Sequence, residues 1–235
     1  MTGTLLNIAT VLMGSALGLL FGNRLPEKTR STIVAGLGLF TLAIAIKMFT
    51  SSQNELIVLG ALLLGGLLGE WARLEDRLSA LGAWLEARFG GRSTNPNEHN
   101  RFVRGFLTAS LVFCIGPMTI LGSLQDGLTG DYKLLAIKSV LDGFAAVAFA
   151  STLGVGVAFS VIVILLYQGG LSLLAAQISP WISDAMMTEM TATGGVLLLG
   201  LALSSLLEIK KIRAGNFLPA LLIAPLFVAI VAWFA

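Results

Sequence analysis

Residues 116–160 read GPMTILGSLQDGLTGDYKLLAIKSVLDGFAAVAFASTLGVGVAFS. Two apolar runs flank the short polar link 125–133, and the second continues past Gly154 with hardly a polar residue. Runs of this length predict membrane-spanning helices, which need about 20 mainly apolar residues. Gly116 and Pro117 sit inside the first run. Proline removes a backbone donor and clashes with the preceding turn, so the helix is expected to kink or break there. A break at membrane depth has to be covered by protein or line a cavity. It frees carbonyls that suit a cation, and the half-helix that follows offers its N-terminal dipole to an anion. In the second run Lys138 and Asp142 stand four residues apart. That spacing puts them on one helical face, close enough to pair. Each charge costs roughly 2.5–3.5 kcal/mol near a helix centre, and charges kept there mark functional sites or static ion pairs.

The rest of the chain has the same character. Of 235 residues, 56% are hydrophobic and 12% charged. The mean hydropathy is +0.88. Soluble domains carry about 25% charged residues. The net charge of +2 comes with no basic stripe, so a nucleic-acid partner is not expected. Cys114 and His99 are the only residues of their kinds. A disulfide, a zinc or iron–sulfur centre and a Ser/His triad are therefore not expected. The run G-x-x-x-x-G-K-[ST] is missing, which argues against an ATP-driven pump. No cofactor and no enzymatic activity are expected. Residues 1–7 carry no Lys or Arg, so the first apolar run reads as a retained helix and not as a signal peptide.

The fold expected is an all-α polytopic transmembrane bundle of about eight spans: 5–21, 31–49, 56–71, 102–123, 134–151, 155–174, 192–207 and 217–234. The fifth and sixth are joined only through residues 152–154, and seven spans is the alternative. Loop charge favours eight. With the N-terminus outside, twelve of the fifteen Lys and Arg fall in cytoplasmic loops. They are Arg24, Lys28 and Arg30; Arg73, Arg77, Arg88, Arg92, Arg101 and Arg104; and Lys210, Lys211 and Arg213. The opposite loops, 50–55, 124–133 and 175–191, hold only Lys133. Positive loops face the cytoplasm, so both termini are expected outside. Trp71, Trp84, Trp181 and Trp233 fall near span ends, where an aromatic belt forms.

Within this single transmembrane domain, 1–235, residues 74–90 carry leucines at three- and four-residue steps. They predict an amphipathic helix on the cytoplasmic surface. A polar cytoplasmic loop, 91–101, follows. Gly14, Gly18 and Gly22, and Gly65 with Gly69, form small-residue faces at four-residue steps. Such faces predict close helix contact, within the chain or between copies of a homo-oligomer. A shift of 159 positions lays Gly36 on Gly195, Leu42 on Leu201 and Ala61 on Ala220 without a gap. The matched hairpins are spans two–three and seven–eight. An odd number of crossings separates them, which predicts an inverted repeat of spans 1–3 against 6–8, a recurrent transporter plan.

Gly116-Pro117-Met118, Gly122 to Gly127 (GSLQDG), Lys138 to Phe144 (KSVLDGF), Ala150 to Gly154 (ASTLG) and Tyr167-Gln168-Gly169 together resemble a bacterial membrane-protein family, domain of unknown function 554. The resemblance extends through the chain and includes Asn7 in the glycine-rich first run. It implies a multi-span protein of the bacterial inner membrane, often described as a transporter. It carries over no substrate and no functional residue.

The function expected is a secondary transporter of a small solute or ion, proton- or cation-coupled. A passive oligomeric channel and a membrane scaffold or regulator are the alternatives. The substrate- or ion-binding residues expected are Asp142 and Lys138, with Asp126, Gln168, Ser123, Thr119 and Asn7 around the broken helix at Gly116 and Pro117. The partners expected are the lipid bilayer and the solute. Asn and Gln in spans also serve as plain interhelical hydrogen bonds.

Overall fold

The computed structural model describes residues 1–22, 26–89 and 96–234. Arg24, Arg92 and residues 91–95 of the expected polar loop lie outside the described residues. Among those described there are no strands. The helices are α1 (Thr2–Gly22), α2 (Glu27–Phe49), α3 (Glu55–Trp71), α4 (Leu74–Phe89), α5 (Pro96–Cys114), α6 (Pro117–Thr129), α7 (Lys133–Leu153), α8 (Gly156–Leu173), α9 (Ala175–Ile178), α10 (Asp184–Leu201) and α11 (Ala220–Phe234). Six helical segments are long and apolar enough to cross a membrane alone. Two bent pairs, α3 with α4 at 56° and α5 with α6 at 63°, raise the number to eight if each pair is one span. The chain is an all-α polytopic transmembrane bundle.

It divides into two compact units, one of residues 1–37 and 79–179, the other of residues 38–78 and 180–235. In the first unit α1 lies along α7. A Cβ on Gly14 or Gly18 would drive into the carbonyl oxygens of Gly143 and Val147, and one on Gly22 would lie 2.5 Å from that of Ser151. Gly3 sits on Leu135 at the other end. Residue numbers rise together on both helices, so α1 and α7 run parallel. The glycine face of α1 is thus used inside the chain. Gly65 and Gly69 on α3 are used likewise, against Ala220 and Asn216 in the second unit.

Gly154 closes α7 with φ +84°, and α8 starts two residues later. The Arg101 guanidinium holds this turn by donating to the Thr152 carbonyl at 2.9 Å. Along α8, Phe102 meets Phe159 with ring centroids 5.3 Å apart, and Gly127 packs on Ser172. The broken pair α5–α6 therefore follows α8 from its start to its end. Helix α5 begins at Pro96, earlier than expected, because the helical register continues back through the polar residues. The amphipathic segment forms α4 and sets Leu85 against Phe102 and Phe106.

In the second unit, α10 starts at Asp184, well before the expected 192. Ser183 caps it by accepting from the Met186 amide at 3.2 Å. A π-helical turn, Ala202–Leu206, ends it. Helices α3 and α11 share the cluster Ile57, Ala61, Ala220 and Ala224. Gly195 packs on Ala45 and Met48, while Gly38 packs on Leu206 and Leu207.

The seam of α1 and α7 tolerates no side chain. Gly14→Val and Gly18→Val are expected to cost about 1–3 kcal/mol or more, the range for overpacking. Gly170→Ala, where nothing lies within 4 Å, is expected to be neutral. Thermal melts of the detergent-solubilised protein check the contrast.

Candidate functional site

The close seam brings polar side chains from three helices of the first unit to one point. Asn7 on α1 is fully buried. Its Nδ2 donates to Asp142 Oδ2 on α7 at 3.0 Å and to Gln168 Oε1 on α8 at 2.9 Å. Gln168 Nε2 donates in turn to Thr4 Oγ1 at 3.2 Å. Lys138, one turn before Asp142, pairs with the same Oδ2. A single carboxylate oxygen thus accepts from both an ammonium and an amide. Both protons of the Asn7 amide are used, which fixes its orientation. The flipped amide would set oxygen against oxygen at Asp142 and Gln168. Asn7 Oδ1 is left as a buried acceptor with no hydrogen-bond partner among the described residues. Buried polar atoms without partners are uncommon, and this one sits beside a carboxylate.

The helix break adjoins the junction. Gly116 is in extended conformation ahead of α6. Cys114, the last residue of α5, lies within electrostatic range of Lys138 and Asp142. Thr119 repairs part of the break: its hydroxyl donates to the Phe113 carbonyl at 3.2 Å. Ser123 Oγ donates to the Thr119 carbonyl. Both hydroxyls are spent on backbone and make no bond to the Lys138–Asp142 pair. Asp126, at the end of α6, is also buried but serves another purpose. Its Oδ2 accepts from the Gly3 amide at 3.1 Å and pairs with the Met1 amine at 2.9 Å. It caps the positive end of α1 with a carboxylate.

Of the residues singled out from the sequence, Asn7, Lys138, Asp142 and Gln168 thus form one bonded network. Thr119, Ser123 and Asp126 line α6 beside it, on backbone partners. Thr4 joins the network although nothing in its sequence surroundings marks it. Two polar sites in the second unit went unread as well. Glu189 on α10 is buried, and accepts from Ser52 Oγ at 2.7 Å and from the amides of Gln53 and Asn54 at 2.8 and 3.0 Å. It fastens the α2–α3 turn. At the other end of α3, the Glu75 amide donates to Asn216 Oδ1 and the Gly215 amide donates to Glu75 Oε2, both at 2.7 Å. Burial raises the Glu75 carboxyl above its ordinary value, against the pull of the Gly215 amide and Arg213. Arg213 pairs with Glu70 and Asp76. The Ser183 cap was the one legible signal for this region, since it moves the start of α10 back past Glu189. No group of three or more His, Cys, Asp or Glu able to hold a metal is found among the described residues.

This site and fold define a helical integral membrane protein with a buried ionic junction. The family model described as "Protein of unknown function (DUF554)" matches residues 2–229. The chain belongs to that family. It is 37% identical over 234 residues to "Uncharacterized protein YqgA" of Escherichia coli (strain K12), covering 99% of each chain. It is 32% identical over 235 residues to "Uncharacterized membrane protein YdfK" of Bacillus subtilis (strain 168), covering 98% of this chain and 97% of the relative. No solved structure matches the chain.

Removing one partner of a buried ion pair costs roughly 3–5 kcal/mol, because the other charge is left alone. Lys138→Met and Asp142→Asn are each expected to lower the melting temperature strongly. The double variant is expected to regain part of the loss. Equal and additive losses in a double-mutant cycle would show that the pair does not act as a unit.

Proposed function

We propose that the protein is a secondary transporter of a small solute or ion in the bacterial cytoplasmic membrane, coupled to a proton or cation at Asp142. The observation that carries this reading is the junction itself. An ionised pair, two carboxamides and an unpartnered acceptor oxygen are buried together beside a broken helix. Charged groups at such depth are expensive, and a purely structural role would be served by cheaper apolar packing. A proton or cation arriving at Asp142 competes with Lys138 and Asn7 for the same oxygen. Releasing Asn7 also releases Gln168, so one ionic event loosens α1 from α7 and α8 together. The break between α5 and α6 supplies a joint at which the unit can yield. This reading gives the chain no catalytic role.

The basic loops favour an orientation with both termini outside, and the repeat of spans 1–3 against 6–8 read from the sequence would fit a transporter plan.

Reconstituted proteoliposomes test the reading. A pH gradient, then a sodium or potassium gradient, is imposed, and internal pH and membrane potential are followed by dyes. Wild type is expected to carry flux under at least one gradient. Asp142→Asn and Lys138→Met, checked for folding by thermal melts, are expected to lower it about tenfold or more, the effect of losing roughly 1.4 kcal/mol of coupling. Undiminished flux in both variants would remove the junction from the mechanism. Flux that never saturates with ion concentration would favour the oligomeric channel.

A further inference from the structure

The second unit holds a cleft of about 280 Å³ whose lining is apolar throughout. Val196, Gly200 and Leu203 line it from one face of α10 and the π-helical turn, at steps of three and four residues. Leu62 closes it from α3, and Ile212 and Phe217 close it from the loop that follows α10. Such a cleft offers nothing to orient a polar solute. It is below the ~300–1,000 Å³ usual for small-molecule sites, so it takes a segment of a chain and not a whole ligand.

The loop at its edge is charged. It folds back over the cleft wall, with the Ile209 and Lys210 amides donating to the Leu203 carbonyl at 2.9 and 3.4 Å. This places Lys210 and Lys211 at the rim, next to Ile212. Both are exposed, and neither has an ion-pair partner among the described residues. Arg213, two residues on, is engaged by Glu70 and Asp76. The rim therefore carries two exposed lysines above an apolar slot, with Glu208 the one acidic residue of the same loop. Juxtamembrane lysines attract anionic headgroups, and basic pockets beside helices bind them specifically.

We infer that this cleft seats one acyl chain of an anionic phospholipid whose phosphate is held by Lys210 and Lys211. The site is separate from the ionic junction of the first unit and does not depend on any transport activity.

Native mass spectrometry of the full chain tests it, with phosphatidylglycerol and phosphatidylcholine supplied in equal amounts. Wild type is expected to retain one phosphatidylglycerol per chain, with roughly a fivefold preference for each lysine that contributes. Lys210→Gln with Lys211→Gln is expected to abolish the preference and leave a lipid bound. Gly200→Leu fills the cleft from α10, where an added Cβ meets Ile212 at an ordinary 3.5 Å, and is expected to lose both lipids. Equal phosphatidylglycerol retention by wild type and the lysine variant would overturn the headgroup assignment. Undiminished retention by a folded Gly200→Leu protein would overturn the seat. Displacement of the lipid by millimolar inorganic phosphate would make the lysines a site for the free anion instead.

Discussion

The absence of side chains at Gly14, Gly18 and Gly22 lets α1 approach α7 until backbone meets backbone. The ionic junction of the first unit depends on that approach. Lipid supplies no hydrophobic force between helices, so such contacts rest on dispersion and on bonds across the interface. The same approach brings Asn7 within reach of Asp142, about four turns earlier on α1 than the last glycine contact. Were the helices held at an ordinary separation, the short Asn7 side chain could not bridge α7 and α8 at once. The glycine seam and the ionic junction are two consequences of one packing geometry.

The junction is costly, and its construction shows how the cost is met. Asp142 and Lys138 offset part of each other's insertion penalty. The neutral amides of Asn7 and Gln168 then satisfy donors and acceptors without adding charge. One acceptor, Asn7 Oδ1, is left over. By contrast, Glu189 in the second unit is fully served by three donors from the α2–α3 turn. The two buried carboxylates thus differ in kind. Glu189 is a fastener whose loss would free a turn. Asp142 shares one oxygen between two donors, which makes it the more readily perturbed.

What the sequence made legible was local. The i, i+4 spacing of Lys138 and Asp142, the break at Gly116 and Pro117, the apolar stripe of α4 and the tight turn before α8 all follow from periodicity or from one residue's backbone chemistry. The long-range partners were not legible. Thr4 to Gln168 spans 164 positions and Asp126 to Gly3 spans 123. Asp126 shows the difficulty well. An acidic residue after a broken helix reads as a site residue, yet its oxygen is occupied by the start of α1. Its burial could be guessed from its surroundings, but its partner could not. Glu189 was missed because its polar neighbours Ser183, Asp184 and Thr188 resemble a loop, although Ser183 caps a helix.

Chain direction within the first unit settles a point that hydropathy leaves open. Helices α1 and α7 run parallel. Gln168, near the end of α8, meets Thr4 and Asn7, near the start of α1, so α8 runs the opposite way. The α5–α6 pair follows α8. Helices α7 and α8 therefore run in opposite directions with Gly154 as their turn, and each is long and apolar enough to cross a membrane alone.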